Sequence, residues 1–127
     1  MFPHTITIIN IYKEDSETKY HCTQVDGVFY YKSNNVSKEE NGIKNTSKYN
    51  CIIPLSVLSN YVDKKTFDNL DDKSNKFTLK NNDLIILGEC SGINSASDLK
   101  DYEYFPIINI SDNRYGSEEL QNIEVSN

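Results

Sequence analysis

The sequence predicts a mainly β protein, a small β-barrel or sandwich with one or two short helices. Three observations predict it. The apolar residues are chiefly Ile and Tyr, with Ala scarce, one Met and no Trp, and β-branched and aromatic side chains suit a pleated surface better than a helical bundle. They fall in short runs, several with period-two alternation. Between the runs lie clusters of Asn, Asp, Ser and Lys, the residues of turns. At 127 residues the chain fits one domain, with no internal repeat and no domain-splitting linker. Its apolar fraction, 37%, is low for a globular chain, so the core is modest and some burial is expected to be shared with partners.

Thr5–Tyr12 (TITIINIY) alternates and then changes phase, with Ile6 and Ile8 on one face and Ile9 and Ile11 on the other. Such a shift implies a bulge near Ile8–Ile9 or cover on both faces. Glu14–Thr18 is a polar turn. Lys19–Asp26 and Gly27–Lys32 are strands, and Asp26-Gly27 between them marks a bulge in one bent strand, in preference to a tight hairpin. Ser33–Ser47 (SNNVSKEENGIKNTS) lacks sustained periodicity and is expected as a long polar loop, within which Asn41-Gly42 offers a hairpin turn flanked by Val36 and Ile43. Tyr49–Leu55 is a strand ended or bulged by Pro54. Thr66–Asp72 fits a helical turn capped by Thr66, with Phe67 and Leu70 on one face. Phe77–Leu79 is a short strand, Lys80–Asp83 a turn, and Leu84–Glu89 (LIILGE) a central strand covered on both sides. Ser95–Tyr102 reads as a short helix capped by Ser95 or Ser97, and Phe105–Ile110 as a strand. Asp112–Gly116 is a turn and Leu120–Val125 a terminal strand, in an extended C-terminal segment over about residues 112–127.

Charge and motifs narrow the function classes. The net charge of −6 repels phosphate and no basic stripe offsets it, which disfavours nucleic acid as a ligand of the monomer. There is no long apolar run, basic amphipathic helix or signal-like segment, so a cytosolic chain without membrane attachment is expected. Cys22, Cys51 and Cys90 are odd in number and lack CxxC spacing, so they are expected as reduced, buried hydrophobes and not as zinc ligands. GxSxG, HExxH, the P-loop and GxGxxG are missing. His21 and Cys22 are neighbours in a strand and point to opposite faces, leaving only a cross-sheet pair of His21 with Cys51 or Cys90. The acids Asp63, Asp68, Asp71 and Asp72 do not match a calcium loop and fit solvated turns. No catalytic residue, cofactor or metal is expected. Nine Tyr are more unusual: Tyr30-Tyr31 and Tyr102 with Tyr104 fit either half-buried sheet positions or exposed interface rings.

The order of segments resembles a family of small tailed-phage proteins from viruses of Gram-positive hosts. The resemblance is carried by HTITIINIY and YHCTQVDGVFYYK near the start, then CIIP, KFTLKNNDLIILGE and the tail DNRYGSEELQNIEV. It covers nearly the whole chain, in patterns of fold more than of chemistry. The sequence departs from it at the end, where Asn122 and Ile123 stand in place of an aromatic or His residue. The resemblance implies a virion protein of the head–tail connector, or neck, assembled in the host cytoplasm, and specifically the head-closure or stopper ring between portal adaptor and tail. A tail terminator or other tail-attachment protein is the near alternative. The implied partners are other copies of the chain, the portal adaptor and the tail or terminator proteins, with DNA only in passage. Candidate contact residues are Tyr30, Tyr31, Asn34, Asn35, Val36, Glu39, Glu40, Asn41, Gly42 and Ile43 around the polar loop, and Arg114, Tyr115, Leu120 and Ile123 in the tail. Two other classes compete: a monomeric phage-encoded binding or inhibitor module, and a small hydrolase using the Asp63–Asp72 acids.

Overall fold

The computed structural model describes residues 3–39, 42–71, 73, 76–90, 92–93, 95–114 and 121–127, with the backbone alone for 34–39, 42–47 and 96. Its strands are β1 (His4–Glu14), β2 (Glu17–Glu39), β3 (Gly42–Pro54), β4 (Leu84–Leu87), β5 (Tyr104–Pro106), β6 (Asn109–Asn113) and β7 (Asn122–Ser126), with one short helix α1 (Lys64–Asp68) and two 3₁₀ turns. All seven strands form one antiparallel sheet in the order β5-β4-β1-β2-β3-β7-β6, curled into a half-barrel. The expected β class is what the chain adopts.

β1 explains the curl and the core together. Its pairing with β2 runs unbroken through Ile8↔Thr23 and Ile9↔Cys22, so the phase change in TITIINIY is no bulge. Both faces are covered instead. Ile6 and Ile8 pack on the concave side with Val25, Ile53, Ile85, Phe105 and Ile123. Ile9 and Ile86 pack on the convex side under Ile93 and Leu99. The convex cover is carried by the 3₁₀ turn Ala96–Leu99, entered at Ser95, whose backbone N–H donates to the Asp98 carboxylate at 3.2 Å. LIILGE is central as expected: β4 pairs with β1 and with β5, and Ile85 and Ile86 are fully buried on opposite sides.

Turn chemistry sets the register. Asp15 and Ser16 both have positive φ and close the β1–β2 hairpin in two residues, the backbone shape that matches strand twist. At the other end His4 pairs with Val28 and Thr5 with Asp26, which leaves Gly27 unopposed in a bulge. Gly27 has φ +81, and a Cβ there would lie 3.3 Å from the Val57 side chain. Asp26-Gly27 therefore bends one long strand, as its sequence predicts.

Four expectations are corrected. Ser33–Ser47 is not a loop: β2 and β3 pair continuously from Phe29↔Ile52 to Glu39↔Gly42. The helix begins earlier than expected, because Asp63 and not Thr66 is its cap; the Asp63 carboxylate accepts from Thr66 N at 2.7 Å. Phe77 forms only an isolated parallel bridge with Tyr61. The Phe105–Ile110 strand divides in two, since Ile107 N donates to Asp83 O, at the foot of β4, whereas Ile108 N donates to Ser126 O on β7. These successive residues join the two ends of the sheet. In the C-terminal segment the expected terminal strand is present as β7, inserted between β3 and β6.

Candidate functional site

The feature that reaches furthest from the core is the outer part of the β2–β3 hairpin. β1 pairs with β2 only as far as Val28, and β7 pairs with β3 only over Asn50–Pro54. Beyond these limits Tyr31–Glu39 and Gly42–Lys48 are paired with each other and with no other described strand. At about 3.3 Å per residue this arm extends roughly 25–30 Å past the sheet. Isolated two-stranded ribbons are marginal in water, and both edges of this one present unpaired backbone groups.

The base of the arm is anchored. Tyr30 N donates to His4 Nδ1 at 3.1 Å and its ring lies 4.3 Å from the imidazole. Tyr49 stacks on Phe105 at 5.3 Å with the planes almost parallel, and its hydroxyl donates to Glu103 at 2.9 Å. Lys32 pairs with Glu103 at 3.7 Å, an exposed pair that orients more than it stabilises. The arm springs from a fixed point.

Of the sequence-predicted contact residues, Tyr30 is half-buried at this base and Tyr31 is 43% exposed. Asn34, Asn35, Val36, Glu39, Gly42 and Ile43 lie in the arm, where Asn35 pairs with Thr46, Val36 with Asn45 and Ile43 with Lys38. Glu40, Asn41, Tyr115 and Leu120 lie outside the described residues. Arg114 is exposed, but its guanidinium is held by Asp112 (Nε to Oδ1 2.8 Å, Nη2 to Oδ2 2.7 Å) over the Tyr61 ring. Ile123 is a correction. It is 1% exposed in the concave core, because β7 is an interior strand and Ile123 shares its inward face with Val125. Sequence reasoning missed Ile108 and Ile110, which are 50% and 38% exposed at the sheet edge; both look buried if FPIINI is a single core strand.

His21 Nε2 lies 2.8 Å from Lys76 O and its ring packs beside Phe67, while Cys22 and Cys90 sit on the convex side. Cys51 is fully buried, and burial pushes its thiol up to about 12. The hydrogen bond from Thr66 N holds Asp63 below the usual carboxylate range. A cleft of about 640 Å³ between β1 and α1 carries Asp68 and Asp71, interleaved with Lys13, Lys64 and Lys73; Asp72 lies outside the described residues. At its edge Asp83 is 1% exposed and accepts from Asn10 Nδ2 at 2.8 Å, from Ile11 N at 3.0 Å and from Lys80. Burial pushes that carboxyl up against the pull of Lys80, Ile11 N–H and Asn10. This cluster ties β1 to the turn before β4. Among the described residues no group of three His, Cys, Asp or Glu is placed to hold a metal, and no helix is long and apolar enough to cross a membrane.

A family model matches the chain over residues 1–127. The chain belongs to DUF6751, a family of unknown function. Neither the curated proteins nor the solved structures contain a match.

Proposed function

We propose that this chain is a structural subunit of a tailed-phage head–tail connector, the head-closure or stopper ring between portal adaptor and tail, and that it works by assembly and not by catalysis. The observation that carries the reading is the arm: a fixed base supports a two-stranded ribbon whose outer edges pair with no other described strand. Such a ribbon gains stability when a neighbour pairs with it or packs on it. The segment resemblance supplies the setting, since connector proteins of this size mould loops and termini onto adjacent subunits. Charge is consistent with it. The arm, Tyr31–Lys48, holds four Lys against Glu39 and Glu40, a net +2, which leaves −8 on the remainder. An acidic ring wall would repel DNA phosphates and let a genome pass without sticking.

The test is a map of the particle neck by electron microscopy, together with light scattering of the purified chain alone and mixed with an adaptor–portal complex. Density for the β body between adaptor and tail, or docking of the chain on that complex, is the expected result. A chain that stays monomeric, does not dock and is missing from particles would remove the connector reading and favour the monomeric inhibitor class.

A further inference from the structure

We infer that the arm of one copy seats along the open edge of β6 in a neighbouring copy, adding strands to that sheet; the inference rests on the ring reading and names its subunit contact. β6 ends the sheet order, and no described strand pairs with its outer edge. All five of its residues are exposed. It carries Ile110, and Ile108 precedes it, an exposed apolar pair at an open strand edge. An extended segment laid on such an edge satisfies its orphan N–H and C=O groups and covers those side chains, as in strand addition.

Charge selects the occupant. Lys32, Lys38, Lys44 and Lys48 make the arm basic, at net +2. The described residues of β6 and β7 and their flanks, 109–114 and 121–127, carry Asp112 and Glu124 against Arg114, a net −1. Arm against arm would bring two basic ribbons together, whereas arm against the β6–β7 region joins opposite signs. The contact is not formed within one copy: β7 stands between β3 and β6, and the described pairings of the arm are all between β2 and β3. Arm and edge are therefore two different, complementary patches on one chain. That is the requirement for a heterologous contact, which repeats head to tail and closes into a ring when the rotation allows.

The test uses the full chain with a photo-crosslinking benzoyl-phenylalanine in place of Lys38, mixed with isotope-labelled wild type so that crosslinks between copies are recognised by mass. Crosslinks from position 38 to residues 109–113 of another copy are expected. The double variant Lys38→Glu/Lys44→Glu is expected to weaken self-association by about tenfold at low salt, with an unchanged circular dichroism spectrum, and 0.5 M salt should weaken the wild type similarly, salt screening being about 3–10 Å in this range. Copies that assemble but crosslink elsewhere, or a charge-reversed arm that associates as tightly as wild type, would overturn this contact and leave the ring standing. A chain that shows no self-association, alone or with the adaptor–portal complex, would overturn the ring reading itself.

Discussion

β1 and the outer half of β2 are both hydrogen-bonded strands, and they are held in opposite ways. β1 is paired on both edges, by β2 and β4, and is covered on both faces, by the cluster around Ile6 and Ile8 and by that around Ile9 and Ile86. A fully buried Ile contributes about 1.5–3 kcal/mol, so a few such side chains outweigh the ordering of the strand that carries them. The outer half of β2 has one neighbour, β3, and its sequence SNNVSKE offers little to bury. Backbone ordering costs about 1–2 kcal/mol per residue, and a cross-strand pair returns only about 0.2–1 kcal/mol. The centre stabilises itself. The arm gains far less from its own pairing.

The largest effect expected from breaking this contrast is at the centre. Ile86→Asp places a carboxylate on the fully buried convex side of β4, and the loss should exceed about 4–5 kcal/mol. Denaturant titration followed by circular dichroism should find the variant unfolded in buffer; a folded variant with a normal midpoint would show that the convex cover is dispensable. Next comes Asp83. Asp83→Ala removes the acceptor shared by Asn10, Ile11 N–H and Lys80, and leaving these donors unmet should cost about 3 kcal/mol. The same residue carries a pH signature. Its carboxyl is raised in the folded chain, above the ordinary 3.8, so the folded state binds the proton more tightly than the unfolded one. Its contribution to stability is then full below that ordinary value and lost as pH rises through the folded value. Asp83→Asn should flatten this part of the stability–pH curve, and an unchanged slope would assign it to other carboxylates.

Gly27 tests the joint between centre and arm. Gly27→Ala forces a Cβ into positive φ, 3.3 Å from Val57, at a cost of about 1–2 kcal/mol. The loss should appear as a lower urea midpoint with unchanged slope, since the fold itself is kept. A neutral substitution would mean that the bulge slides by one residue without penalty.

The same contrast explains what could be read from the residues. In TITIINIY and LIILGE the apolar positions state which faces are covered, and Asp26-Gly27 marks its bulge by chemistry alone. The sequence of the arm offers few apolar residues, so the period-two signal that identifies a strand is missing from SNNVSKEENGIKNTS; its strand pairing continues outward from the anchored pair Tyr30↔Cys51. Strand order was equally hidden. Ile110 and Ile123 sit in similar Ile-bearing runs, yet Ile123 is core because β7 is interior and Ile110 is exposed because β6 is the edge. That difference depends on a β3–β7 pairing between residues more than sixty apart in the chain, which no local pattern encodes. The candidate contacts of the polar segment therefore lie in a paired ribbon and not in a loop, and the Ile108–Ile110 edge went unseen.

The smallest expected change in stability is also the sharpest probe of the comparison. Ser33 pairs with Lys48, so residues 34–47 can be replaced by Asn-Gly, a pair suited to the two-residue turn that would then close the hairpin. If the arm is neutral in the free chain, this shortening should leave unfolding free energy within about 0.5 kcal/mol of the parent, the range of surface changes. Hydrogen exchange gives the reason residue by residue: amides of Tyr31–Glu39 in the isolated parent should exchange quickly while those of Ile6–Ile9 are protected, since local opening of the ribbon exposes no core. Assembly should reverse the arm's behaviour without altering the centre, because only the ribbon acquires a new neighbour. A loss above about 2 kcal/mol on shortening would mean that the ribbon already contributes to the fold of the single chain, and its length would then need no partner to explain it.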